Sequence, residues 1–132
     1  MIYDSQYNRL ALLGKDVRGV SLFDTTLRDG EQAPGIALSM DDKLKIASAL
    51  NELGVGIMEV GFAASGDTEK KIIKKIGSMG FSSTVCSLAR SVKSDIDAVY
   101  ESVKYAQNPM IHMVLGTSNI HVEQKFKKTN DQ

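Results

Sequence analysis

The densest run of side chains able to do chemistry is Asp24-Thr25-Thr26-Leu27-Arg28-Asp29-Gly30-Glu31-Gln32-Ala33-Pro34-Gly35. A carboxylate such as Asp29 can bind a divalent cation while the neighbouring Arg28 guanidinium grips an anionic oxygen. Side chains on adjacent Cα atoms diverge, so Arg28 and Asp29 are expected to reach in different directions. The same two residues also read as a solvated ion pair on a polar loop, an arrangement that contributes little. A second carboxylate, Glu59, lies inside the apolar run Ile57-Met58-Glu59-Val60-Gly61-Phe62. Burying it is costly unless it is paired or metal-bound. Alternation puts Ile57, Glu59 and Gly61 on one face, with Gly61 leaving space beside the carboxylate. Arg28 is the expected partner; a solvated edge-strand glutamate is the alternative. His112, in Met110-Ile111-His112-Met113-Val114-Leu115, reads as a satisfied core histidine or as one hydrogen-bonding group for a pocket. Thr117 and Ser118 follow it, suited to a helix cap or to an anion at a helix N-terminus. His121 reads as a surface residue, and Cys86 as a small buried apolar one.

These groups must be held by the elements around them. Four β-like runs, at 20–24, 57–62, 83–88 and 110–115, alternate with amphipathic stretches. Ser39 and Asp42 form a capping-box-like start. Leu44, Ala47, Leu50 and Leu53 then repeat at helical spacing, and Gly54 stands at the left-handed C-cap. Thr68 or Asp67 opens a second helix with Ile72, Ile73, Ile76 and Met79 inside and Gly80 at its end. Ser94 or Asp95 opens a third, with Ile96, Val99, Val103 and Ala106 inside and Pro109 as its stop. Ser118 caps a fourth, with Val122 and Phe126 on its inner side. Strict alternation of strand and helix argues for a parallel sheet with right-handed crossovers. Such a sheet puts ligands beyond the carboxyl ends of its strands, where the 24–35 cluster lies. Periodicity alone leaves a small open sheet and a barrel segment both open.

The chain has 132 residues, one domain's worth, with Lys+Arg 16 balanced by Asp+Glu 16. The absence of a basic excess argues against a nucleic-acid partner. Hydrophobic residues at 42% and charged residues at 24% are ordinary globular usage, which argues against disorder. A single cysteine forms no intrachain disulfide. No apolar run approaches the ~20 residues of a membrane span, and Leu10-Ala11-Leu12-Leu13 is too short for a secretory core. The expectation is a cytoplasmic protein without a membrane partner. Residues 1–19 are expected to be a leader or a barrel cap, and 20–132 to be the folded unit. No GxGxxG after a strand, P-loop, CxxC or HExxH is present.

The run from Phe23 to Gly35 resembles the N-terminal motif of the 2-isopropylmalate, homocitrate and citramalate synthases. The likeness continues through Met58-Glu59-Val60-Gly61-Phe62, Ser94-Asp95-Ile96-Asp97 and Ile111-His112-Met113-Val114-Leu115-Gly116-Thr117-Ser118-Asn119-Ile120-His121. It covers nearly everything after residue 20, and its last stretch is most similar to the 2-isopropylmalate synthases. The resemblance implies an α/β fold of alternating parallel βα units, about four of them, forming the N-terminal half of a TIM (β/α)8 barrel truncated before the later strands. It implies a metal-dependent Claisen condensation of acetyl-CoA with a small 2-oxo acid such as 2-oxoisovalerate, as in leucine biosynthesis, then thioester hydrolysis. It further implies a homodimer for a full-length member. Carried over by position, Asp29 is the metal ligand for Mg2+, Mn2+ or Zn2+. Arg28 and Glu59 are the catalytic pair, with Glu59 steadying Arg28. Arg28, Gln32, His112 and Thr117 bind substrate. The family's metal site also uses a His-x-His pair, and the only histidines here are His112 and His121. The chain alone is therefore expected to be inactive. A homocitrate or citramalate synthase segment, or a half-barrel acting by association, is the alternative.

Overall fold

In the computed structural model, residues 21–129 are described; the segment read as a leader or cap lies outside them. Four strands, β1 (Phe23–Asp24), β2 (Ile57–Glu59), β3 (Thr84–Arg90) and β4 (Pro109–Val114), form one sheet in the order β1-β2-β3-β4. Every neighbouring pair is parallel. Helices α1 (Met40–Glu52), α2 (Asp67–Gly77) and α3 (Lys93–Val103) make the crossovers. This is the expected succession of βα units, consistent with the N-terminal half of a TIM barrel. No helix among the described residues is long and apolar enough to cross a membrane.

The helix starts differ from one another. α1 begins as its sequence dictates: Ser39 Oγ accepts from the Asp42 amide at 3.2 Å, and the Asp42 carboxylate accepts from the Ser39 amide at 3.1 Å. Its end is set by Gly54 at φ +80°, a conformation side chains disfavour. α2 opens at Asp67 without a side-chain cap. α3 opens at Lys93, not at a Ser94 or Asp95 cap, because Asp95 turns back to the end of β3 and binds Arg90. It also ends at Val103, well before Pro109, which instead opens β4. A proline lacking an N–H fits the first residue of a strand. The expected fourth helix is a short π-helical turn, Ile120–Lys125, and Phe126 is 40% exposed instead of facing inward.

One face of the sheet packs on the helices. Met58, Val60, Val85 and Ala89 meet Ala47, Ile72, Ile73, Ile76, Val99 and Val103 in a single buried cluster. Each large apolar side chain so buried contributes roughly 1.5–3 kcal/mol. Met79, expected on the inner stripe of α2, is 39% exposed. The opposite face carries Phe23, Ile57, Glu59, Cys86, Leu88, Met110 and His112, which the strand register places in line. That face is concave. In a flat sheet β1 and β4 would lie about 14 Å apart at ~4.8 Å per strand. Yet the Phe23 and His112 rings meet edge to face at 5.3 Å. The wall is rolled toward the side that bears Glu59 and His112.

Candidate functional site

The loop after β1 is built by its own polar residues. The Asp24 carboxylate accepts from the Thr26 amide at 3.0 Å and from the Thr26 hydroxyl at 2.9 Å. The Thr25 carbonyl accepts from the amides of Arg28, Asp29 and Gly30 at 3.1, 2.8 and 3.1 Å. Leu27, fully buried, pins this turn to the core. Arg28 and Asp29 are thereby presented at the C-terminal end of the sheet, followed by a 3-10 turn at Gly30–Gln32. Their side chains do not diverge: Arg28 Nη1 donates to Asp29 Oδ1 at 2.8 Å. The two side chains thus form an ion pair. Among the described residues Arg28 Nε is buried without a hydrogen-bond partner, an orphaned donor of the kind native structures seldom keep.

Glu59 does not take Arg28 as its partner. It is 2% exposed, and its Oε1 lies 2.7 Å from His112 Nδ1. The expectation that Glu59 steadies Arg28 directly is corrected by this geometry: the rolled wall brings β4 over β2, so a histidine two strands away reaches the carboxylate first. A carboxylate oxygen accepts, so the shared proton sits on Nδ1 and the ring is fixed in one orientation. Cys86 stands beside Glu59 on the same face. Burial, and then the Glu59 charge, push its thiol up to about 12.

Ser87, fully buried, donates from Oγ to the Gly61 carbonyl at 2.9 Å and accepts from the Ala63 amide at 3.3 Å. It braces the chain as it leaves β2. Gln32 is exposed at the end of the 3-10 turn. Thr117 is exposed and lines a cavity of about 870 Å³ with Arg90, Val114, Leu115, Lys125 and Phe126. Ser118 is not a simple cap, since its hydroxyl lies 2.7 Å from His121 Nδ1. Of the residues named from sequence, Arg28 and Asp29 pair on the loop and Glu59 and His112 pair on the concave face, with no hydrogen bond between the two pairs, while Gln32 and Thr117 join neither.

Asp29 is the one sequence-assigned metal ligand, and its side chain is 69% exposed and engaged by Arg28. No group of three or more His, Cys, Asp or Glu that could hold a metal occurs among the described residues. These residues alone therefore do not fit a resident divalent ion.

Lys43, Glu31 and Glu69 were missed from sequence. Lys43 Nζ lies 2.6 Å from Glu31 Oε2 and 2.9 Å from each Glu69 oxygen, and its side chain is 3% exposed. The only sequence signal is a glutamate inside the Arg28 cluster; a lysine on an amphipathic helix reads as solvated.

The chain matches known proteins over most of its length. Over 115 residues it is 52% identical to a 2-isopropylmalate synthase of Geobacillus sp. (strain Y412MC10), which covers 86% of this chain and 22% of that protein. It is 48% identical over 113 residues to a 2-isopropylmalate synthase of Staphylococcus epidermidis, covering 86% and 22%. It is 47% identical over 116 residues to one of Shouchella clausii, covering 88% and 23%. The chain thus spans a little over a fifth of the length of these relatives. The HMGL-like family model matches residues 19–132, and with four parallel βα units rolled around a carboxylate–histidine pair, the chain belongs to the HMGL-like family.

Proposed function

We propose that this chain supplies the first four βα units of an acyltransferase barrel, residues 20–132, that condenses acetyl-CoA with a 2-oxo acid, 2-oxoisovalerate being the substrate the relatives' name favours. In that reaction the acetyl methyl carbon loses a proton and bonds to the oxo carbon. The carbonyl oxygen becomes an alkoxide and then a hydroxyl. Water then cleaves the thioester, releasing the thiol and a carboxylate. The observation that carries the reading is the orphaned Arg28 Nε–H, beside Asp29 at the strand ends. A guanidinium with an unmet donor is suited to an oxyanion, and one preorganised donor is worth about 2.7–4 kcal/mol in the transition state.

The remaining roles follow from what each residue can do. Arg28 binds the oxo acid and stabilises the developing alkoxide. Glu59 holds His112 by its Nδ1–H, which fixes where the ring meets substrate. Gln32 at the rim and Thr117 on the cavity wall contribute substrate hydrogen bonds. Among the described residues the cavity is lined by Arg90, Lys125 and Lys128 and by no carboxylate, which suits the anionic arm of a coenzyme A thioester. A divalent ion would need ligands besides Asp29. The setting is cytoplasmic, and the full-length protein a homodimer.

The test is a chimera in which residues 21–129 replace the matching segment of the Geobacillus synthase. CoA release from acetyl-CoA and 2-oxoisovalerate is expected, and Arg28→Ala in the chimera is expected to lower turnover about 100-fold or more. A folded chimera without turnover, or an Arg28→Ala chimera that keeps it, overturns the reading.

A further inference from the structure

The Arg28 loop and the strand that carries Glu59 share no side-chain hydrogen bond among the described residues, and one buried cation stands between that loop and the helix that follows the strand. Lys43 Nζ, on α1, holds Glu31 of the loop at 2.6 Å and both oxygens of Glu69 on α2 at 2.9 Å. Glu69 Oε1 in turn lies close against the backbone where the chain leaves β2. A Cβ built on Gly61 would stand 2.0 Å from Glu69 Oε1, and Gly61 sits at φ +141°. Glycine is thus needed there on two counts. From Gly61 the backbone runs two residues back to Glu59.

We propose that Lys43 is a positioning residue, which holds the Arg28–Asp29 loop against α1 through Glu31, while Glu69 serves to keep the buried ammonium compensated. Its significance for chemistry rests on the functional reading above; the tethering itself does not.

An ammonium removed from water needs compensation, and breaking such a group by deleting one partner is far more costly than at the surface. Burial alone pulls the Lys43 amine down. The hydrogen bonds to Glu31 and Glu69 outweigh it, so the amine is raised above the ordinary lysine value and stays charged. The cluster therefore has a defined geometry, with three hydrogen bonds converging on one nitrogen. Solvated lysines such as Lys93, 88% exposed in its pair with Asp97, have no such constraint. Glu31 is the only side chain of the Gly30–Gln32 turn bound to another element by an ion pair among the described residues. This contact thus adds to Leu27 in fixing the loop.

A cluster that merely adds stability and one that positions the loop predict different results. In the 15N-labelled chain, the exchange of the Arg28 Nε–H with solvent reports the loop, and trypsin cleavage after Arg28 reports it independently. Glu31→Ala keeps Lys43 paired with Glu69 and removes only the loop tether. It is expected to accelerate both readouts about tenfold. Glu69→Gln keeps the loop tether, and both readouts are expected to stay within about twofold of the parent even if the thermal midpoint falls. Lys43→Met is expected to behave as Glu31→Ala at the loop. Parent-like exchange in Glu31→Ala, or equal loop release in Glu69→Gln, overturns the proposal. Neither result depends on turnover, so the chimera assay can fail or succeed separately.

Discussion

At the scale of single residues, the Glu59–His112 pair is the feature most open to measurement. Glu59 is 2% exposed and His112 is its hydrogen-bond partner. His112→Phe keeps an aromatic ring for Phe23 but leaves the carboxylate without its partner. A loss of about 1–3 kcal/mol is expected in urea unfolding. Glu59→Leu in the His112→Phe background removes the stranded carboxylate and is expected to restore much of that loss, since an apolar pair replaces a buried polar one at little net cost. A double mutant no more stable than His112→Phe alone would show that the two side chains are not coupled. Cys86 gives a simpler reading of the same face. Its thiol is held at about 12 by burial and by Glu59, and only the thiolate is alkylated. Iodoacetamide at pH 8 is expected to leave the folded chain unlabelled for hours and to label it quickly in denaturant. Fast labelling of the native chain would mean that the concave face opens freely.

The elements show where reading the sequence works. Ser39→Ala removes the hydroxyl half of the α1 capping box, and a loss of about 1 kcal/mol is expected from thermal melts. The box was legible because Ser39 and Asp42 are three residues apart and interact within one turn. The four strands and three helices were legible for the same reason, since period and local punctuation fix them. Asp95 was legible only in part: its position named the third helix start, but its side chain serves β3 by accepting from Arg90 Nε at 2.6 Å and Nη2 at 3.0 Å. The partner of Glu59 was not legible at all. Arg28 is nearer in sheet order, and only the roll of the wall, a sum of twists between strands, brings His112 to it instead. Lys43 was hidden because helical spacing says which way a residue points, not whether a loop will cover it. The same contacts set an acid limit. The Ser39 hydroxyl holds the Asp42 carboxyl down, and the Arg90 guanidinium holds that of Asp95 down. A depressed carboxyl stabilises the fold fully above its unfolded value, near pH 4, and that contribution is lost as pH falls through the folded value. The thermal midpoint is expected to drop below about pH 4, and Asp95→Asn is expected to flatten part of that drop. An unchanged slope in Asp95→Asn would remove Asp95 from the account.

At the scale of the whole molecule, the described sheet is a rolled wall with two outer strands. Among the described residues β1 pairs only with β2, and β4 only with β3. β4 is the longer of the two, and its end is apolar and open: Met113 is 53% exposed, Val114 46% and Leu115 60%. Leu22 and Phe23, at the other edge, are 64% and 40% exposed. In a closed (β/α)8 barrel neither edge exists, because each strand has two neighbours. An open parallel edge with unpaired backbone groups and apolar side chains is a template for another chain. A second copy whose β1 met this β4 would extend the wall in the parallel sense that its own strands already follow. The 132-residue chain is therefore expected to associate as its concentration rises, seen as an increasing sedimentation coefficient. Met113→Lys places a charge on the outer strand at a side chain that is 53% exposed, and it is expected to shift association to about tenfold higher concentration. Association that is indifferent to Met113→Lys would place the contact elsewhere, and a concentration-independent monomer would mean that neither edge is available for pairing.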